Sequence, residues 1–209
     1  YSNRELGWEK NKQYDLGIDL AFFNRINLNV DLYKRTSDIV MPANIPNFNG
    51  IASSVYMNSG QVENKGIELS LNAKVLQGAF NWETTLNWSM NKNKILSLAN
   101  NQTQLANGKA GTKWGNVIRN IVGRPMGDMY MLKVIGTYNT EEDLQKYPKF
   151  GTEGIGDLIF EDTNGDKVVN ANDYQHVGNY QPDFTYGWNN KFSYKNFELA
   201  VTIDGQVGG

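Results

Sequence analysis

Apolar and polar residues alternate with a period of two over long stretches of this chain. Tyr14, Leu16, Ile18, Leu20 and Phe22 share one parity, against Gln13, Asp15, Gly17, Asp19 and Ala21. Ile26, Leu28, Val30 and Leu32 follow, then Ile67, Leu69, Leu71, Ala73 and Val75, then Phe80, Trp82, Thr84, Leu86, Trp88 and Met90. Two more runs, Phe184 to Tyr194 and Phe197 to Ile203, repeat the pattern near the end. Successive side chains on a strand point to opposite faces, so each run predicts a strand with one apolar and one polar wall. Short turns join the runs in pairs at Asn24-Arg25, Gln77-Gly78-Ala79 and Lys195-Asn196. The connections at the other end are long, from about Thr36 to Glu63 and from about Asn91 to Pro182.

Short turns at one end and long loops at the other is the asymmetry of outer-membrane barrels, whose turns are periplasmic and whose loops are extracellular. The turn sites should then lie opposite Asn47 and Asp166. A soluble β-sandwich also alternates, but its strands run about five or six residues, against about ten for the runs here. Phe22, Phe23, Phe80, Trp82, Tyr194 and Phe197 also gather beside the short turns. Amphipathic rings form such a girdle at headgroup level, whereas a sandwich holds its aromatics mid-strand. The expected fold is all-β: antiparallel transmembrane β-barrel strands with long extracellular loops. About six strands close no wide barrel, so the chain reads as a fragment of a larger one. A complete eight-stranded barrel would need further strands inside the long connection, for instance around Met129 to Tyr138.

Composition changes this picture little. The 209 residues carry a net charge of -2, which lacks the basic face that nucleic acid demands. Mean hydropathy is -0.54 and no run of about eighteen apolar residues occurs, so no transmembrane helix is expected. Barrel strands escape that test because their alternation averages to polar. The absence of cysteine excludes disulfides, thiolate metal sites and a cysteine nucleophile. With no initial methionine and no signal peptide, the chain is expected to be a mature or excised piece.

Several phrases resemble the SusC/RagA-type TonB-dependent transporters. They are the segment from Asn58 through Gly60, Val62, Asn64-Lys65-Gly66-Ile67-Glu68-Leu69; Gly123-Arg124-Pro125-Met126-Gly127 with Tyr130 and Gly136; and Gly156-Asp157 through Asp162, Asn164-Gly165-Asp166, Gly178 and Pro182-Asp183-Phe184-Thr185-Tyr186-Gly187. Their order covers most of the chain. The resemblance implies that residues 1–209 are part of a barrel in the cell outer membrane, with 91–182 a long extracellular loop region. It implies import of large nutrients such as glycans or peptides, a SusD-like lipoprotein lid, TonB contacted through an N-terminal plug absent here, and outer-membrane lipid around the wall.

One constellation carries chemistry. Asp162, Asn164, Asp166, Val168, Asn170 and Asp173 stand at positions one, three, five, seven, nine and twelve of an EF-hand-like loop over 162–173. Alternating short carboxylates and the Val168 carbonyl suit Ca2+, which takes about six to eight oxygen ligands, and apolar Val169 fills the packing position. Lys167 stands where glycine usually makes the sharp turn, and Asp173 replaces the longer glutamate. The competing reading is an Asx-rich turn without metal.

Other candidates are weaker. His176 has no catalytic partner in sequence. Glu141-Glu142-Asp143 reads as a solvated helix start capped by Thr140. Asp15, Asp19, Asp31, Glu68, Glu83 and Lys74 form the inward polar face of a lumen, which is polar in any case. Tyr33, Tyr56, Trp114 and Tyr138 are candidates for stacking sugars. The leading expectation is therefore a transporter and not an enzyme. The alternative is a soluble, secreted, calcium-dependent carbohydrate-binding β-sandwich.

Overall fold

The computed structural model describes residues 4, 6–44, 54–98, 101–109 and 116–209. Asn47 and Trp114 lie outside them. Its strands in chain order are β1 (Asn11–Phe22), β2 (Ile26–Asn44), β3 (Ser54–Leu76), β4 (Phe80–Ser97), β5 (Gln104–Lys109), β6 (Asn116–Ile121), β7 (Asp128–Met131), β8 (Val134–Thr137), β9 (Leu158–Phe160), β10 (Gln175–Asn179), β11 (Phe184–Tyr194) and β12 (Phe197–Val207). A short helix, α1 (Glu141–Lys146), and a 3-10 turn (Ala171–Asp173) fall between them. No helix among the described residues is long and apolar enough to cross a membrane. The chain divides into two compact units, one of residues 1–105, 121–126 and 181–209, the other of 106–120 and 127–180.

In the first unit the long strands form one antiparallel sheet in the order β1-β2-β3-β4-β11-β12. Register turns the sequence alternation into rows that cross the sheet. Leu20, Leu28, Leu71, Leu86, Trp188 and Ile203 stand opposite one another on one face. One residue along, Asp19, Asn29, Ser70, Asn87, Gly187 and Asp204 form a row on the other. A sandwich would bury the apolar face beneath a second sheet about 10 Å away. Here Leu16, Ile18, Leu20, Leu86, Trp188 and Ile203 remain exposed, Leu16 at 59%. Among the described residues no second layer covers this face, the arrangement expected of a barrel wall whose covering is lipid.

The turns match the sequence reading with one shift. Phe23 (φ 53°) and Asn24 (φ 50°) adopt the left-handed backbone at the first hairpin, so the turn sits one residue earlier than Asn24-Arg25. Arg25 N–H bonds the Phe22 carbonyl at 3.0 Å and closes it. Paired positive φ values give the twist that tight hairpins need. Val75 falls in a bulge between Lys74 and Leu76, so Leu76 takes over the apolar position opposite Trp82. Two of the turn-side aromatics pack through Phe192, which stacks on Phe80 at 6.2 Å and on Trp82 at 5.8 Å.

The first of the two expected long loops is largely strand. β2 runs on to Asn44 and β3 starts at Ser54, well inside the stretch from Thr36 to Glu63. Alternation fades there, while the backbone ladder continues regardless of side-chain polarity. Gly66 holds this ladder together at a tight place. A Cβ there would lie 2.5 Å from both the Tyr33 hydroxyl and the Met90 carbonyl, so the Tyr33 ring covers a position that admits no side chain. The glycine of the Asn64-Lys65-Gly66 phrase therefore has a packing reason.

The segment Gly123-Arg124-Pro125-Met126 docks on β4. Gly123 N–H bonds the Ile95 carbonyl at 2.8 Å and Ile95 N–H bonds the Arg124 carbonyl at 2.9 Å, around a fully buried Ile95 side chain. The second unit carries a four-stranded sheet in the order β10-β7-β6-β5 and a hairpin of β8 with β9. Its core is Val117, Leu132, Tyr138, Ile159 and Val169. Strands do occur around Met129 to Tyr138, but they belong to these small sheets and add nothing to the six-stranded wall.

Candidate functional site

The polar face of the sheet is a continuous surface of amides, hydroxyls and carboxylates. Neighbouring strands bind side chain to side chain across it: Asn29 donates to Asp19, Ser70 to Asn87 at 2.9 Å, Thr85 to Asn72 at 2.8 Å and Thr202 to Asn189 at 2.7 Å. The Ser89 and Thr185 hydroxyls hydrogen-bond to each other at 2.7 Å. A cleft of about 360 Å³ opens among Asp31, Glu68, Ser70, Asn87, Ser89 and Thr185. Glu83 sits between Lys74 and Lys191 in register, and Lys191 pairs with Glu198 at 3.0 Å. Positive and negative charges thus alternate across these strands. The face offers donors and acceptors to a polar solute along its length.

The sugar-stacking candidates divide. Tyr138 is 1% exposed and its hydroxyl donates to the Pro148 carbonyl at 2.9 Å, so it is core and unavailable to a ligand. Tyr33 lies over Gly66 and donates to Asn91 at 3.2 Å. Tyr56 is 61% exposed.

In the second unit, residues 162–173 form the compact turn that the spacing suggests. Lys167 takes the left-handed backbone (φ 65°), as position six of such a loop requires, at a cost of about 1 kcal/mol for a side-chain-bearing residue. Asp162 accepts the Gly165 and Lys167 N–H groups at 2.7 and 2.8 Å, and Asp166 accepts Val168 N–H at 2.8 Å. Asn164 accepts Asp166 N–H at 2.8 Å and donates to Asp166 at 3.0 Å. Val169 is buried, as its position implies. As arranged, the oxygens are engaged by the turn's own N–H groups. Among the described residues no three His, Asp or Glu side chains gather as around an ion.

Asp173 is fully buried beneath this turn and acts as its clamp. It accepts Thr163 N–H at 3.0 Å, the Thr163 hydroxyl at 3.2 Å and Asn170 N–H at 2.8 Å. Burial pushes its carboxyl up, but the donors from Asn170, Thr163 and Asn164 outweigh burial and hold it below the usual range. The unfolded aspartate therefore takes up a proton first as pH falls. The clamp's contribution is complete above about pH 4 and is lost as pH drops through the lower folded value. Protection of the Thr163 and Asn170 amides, relative to intrinsic exchange at each pH, is expected to fall only on that acid side. In Asp173→Asn the acid-side step should vanish, and a step that persists would assign it to another group.

The remaining readings fall into place as structure. Thr140 caps α1: its hydroxyl accepts Asp143 N–H at 3.2 Å while Asp143 accepts Thr140 N–H at 3.0 Å. His176 lies 3.3 Å from buried Asp128 and packs edge-on to Tyr130, bracing β10 against β7. Asn179 also donates to Asp128 at 2.8 Å. Asn190 was missed by sequence reasoning. It stands on the apolar face, is 5% exposed, and accepts the Trp82 indole N–H at 3.0 Å.

Comparison with known proteins agrees with this architecture. Residues 1–204 match the family described as TonB dependent receptor-like, beta-barrel. TonB-dependent receptor P3 of Formosa agariphila is 33% identical over 218 residues, which take in 100% of this chain and 21% of that protein. TonB-dependent receptor SusC of Bacteroides thetaiotaomicron is 28% identical over 209 residues, covering 96% of this chain and 20% of SusC. The RagAB peptide importer in its open-open state superposes with a TM-score of 0.77 at 25% identity, over 99% of this chain and 21% of that one. The chain spans about one fifth of the length of the curated relatives it matches.

Proposed function

The chain belongs to the TonB-dependent receptor-like β-barrel family, as a SusC/RagA-type barrel segment, and from that premise we propose that it supplies wall and extracellular loops to an outer-membrane importer of large nutrients such as glycans or peptides. The reading is carried by the six-stranded sheet, whose apolar face is exposed and whose opposite face is a hydrogen-bonding wall. Import needs binding and release along that wall and no bond breaking. A SusD-like lipoprotein lid over the long loops, and TonB acting through a plug, complete the assembly proposed for the whole protein.

The test is orientation in living cells. These 209 residues contain no cysteine, so single cysteines at Asn24, Gln77 and Asp166, read against the unsubstituted protein, report on this segment. An impermeant thiol reagent should label Asp166→Cys on intact cells and reach Asn24→Cys and Gln77→Cys only after the outer membrane is opened. Labelling in the reverse order would invert the topology, and full labelling of all three in a soluble fraction would remove the membrane reading.

A role for Ca2+ at Asp162, Asn164, Asp166, the Val168 carbonyl and Asp173 is also proposed, as a tightening of this turn and not as catalysis. Its support is the oxygen spacing and the left-handed Lys167, and the ion competes with the turn's own N–H groups for those oxygens. Affinity should be modest, about 10⁻⁴–10⁻³ M as in extracellular modules. Calorimetric titration of chelator-treated protein is expected to find one site that Asp166→Ala abolishes. No heat at millimolar calcium, with amide protection unchanged, would leave the turn as a metal-free Asx structure.

A further inference from the structure

The apolar face changes character abruptly at the end away from the short turns. Its last apolar row is Leu16, Leu32, Ile67 and Met90. The next row is Tyr14, Lys34, Lys65 and Lys92, directly opposite one another across β1 to β4. Beyond it stand Lys12, Thr36, Glu63 and Lys94. All the lysines of these two rows are exposed. The single carboxylate among them, Glu63, bonds Lys34 at 2.9 Å. The Lys65 and Lys92 side chains make no ion pair or hydrogen bond among the described residues.

Like charges directly opposite on neighbouring strands repel and weaken the ladder. Three lysines abreast, with one carboxylate for both rows, leave a positive stripe that the described residues do not neutralise. An anion supplied from outside the chain removes that repulsion. The height of the stripe says which anion. From Trp82 in the turn-side girdle to Lys92, β4 climbs about 34 Å at about 3.4 Å per residue. At a tilt of about 40° that is about 26 Å along the membrane normal, against an apolar band about 25 Å tall. The ammonium groups therefore emerge at the far boundary of the hydrocarbon, where lipid headgroups lie, their stems resting on the apolar row below. Tyr14 in the same row is the amphipathic ring expected at that level. Neighbouring strands are about 4.8 Å apart, so one phosphate group reaches lysines on two of them.

We infer that Lys34, Lys65 and Lys92, backed by Lys12 and Lys94, bind the phosphate groups of a phosphorylated lipid of the outer leaflet on the outside of the barrel wall. The inference rests on the outer-membrane reading above and adds to it a lipid site distinct from the polar face that meets nutrient. Bound lipid of this kind would order the annulus beside β2 to β4 and tie the long-loop end of the wall to the leaflet it emerges from.

The whole transporter, extracted in detergent, tests this with diphosphorylated lipid A as probe, counted by native mass spectrometry. Lys65→Gln combined with Lys92→Gln removes the two unpaired charges and spares the Lys34–Glu63 pair. At about 1 kcal/mol per surface lysine, lipid A binding should weaken about 30-fold. Lys74→Gln combined with Lys191→Gln removes equal charge from the polar face and should leave binding unchanged. Heat-modifiable migration on gels checks that each variant is folded. Equal binding by the Lys65/Lys92 variant, or no binding by membrane-extracted wild type, overturns the inference. Displacement of lipid A by inorganic phosphate alone does so as well, since the site would then be one for a free ion. Failure of the outer-membrane reading would look different: the wild type would be recovered in aqueous buffer without detergent.

Discussion

Arginine at Leu28 is expected to destabilise the folded barrel by about 2–4 kcal/mol, while arginine at the next residue, Asn29, should change stability by no more than about 0.5 kcal/mol. The two positions share strand, depth and backbone conformation, so propensity and tilt cancel and only the face differs. Leu28 stands between Leu20 and Leu71 in the middle of the apolar rows. A guanidinium there faces hydrocarbon about midway across the bilayer, with no acceptor in its row. Asn29 stands between Asp19 and Ser70 on the polar face, where it already donates to Asp19. An arginine at that place keeps a carboxylate partner and a hydrated lumen. Urea titration of the whole protein refolded into lipid vesicles measures both. Similar tolerance of the two substitutions would mean that neither face meets lipid, and the barrel reading would not survive it.

The wall was legible because its physics is local in sequence: a period of two needs no knowledge of partners to assign a face, and register then aligns the faces into rows. The same locality explains the misses. Beyond Leu32 and Met90, β2 and β4 continue without a hydropathy signal to mark them. The bulge at Val75 depends on how β3 meets Trp82 across the ladder, which no single strand records. Tyr138 reads as an exposed loop aromatic until the β8–β9 hairpin and the Pro148 carbonyl close around it. The turn at 162–173 was legible as a turn from its Asx spacing. That Asp173 is its buried clamp follows from donors on Thr163 and Asn170, and their convergence is tertiary. Thr140 was readable because a capping box is written within four residues.

Asn190 is the most informative of these misses, because it breaks the apolar parity that otherwise defines the wall. It lies in register with Thr84 and Val201 on the face turned to lipid, and its side-chain oxygen accepts the Trp82 N–H at 3.0 Å. A second indole is treated alike: Trp188 N–H donates to the Thr84 hydroxyl at 2.8 Å, and that hydroxyl donates to the Asn189 carbonyl at 3.3 Å. An indole N–H facing hydrocarbon has no water to turn to, so these polar residues satisfy donors that the aromatic girdle would otherwise leave unpaired. Asn190→Leu, though it makes the wall more apolar, is therefore expected to destabilise the barrel by about 1–3 kcal/mol. Trp82→Phe should also cost stability, by stranding the Asn190 amide. Combining them removes donor and acceptor together, so the double variant should lose less than the sum of the single losses, with a coupling of about 0.5–3 kcal/mol. Urea titration in lipid vesicles gives all three values. Additivity within about 0.3–0.5 kcal/mol would show that the two side chains act independently and that Asn190 holds its place on the apolar wall for some other reason.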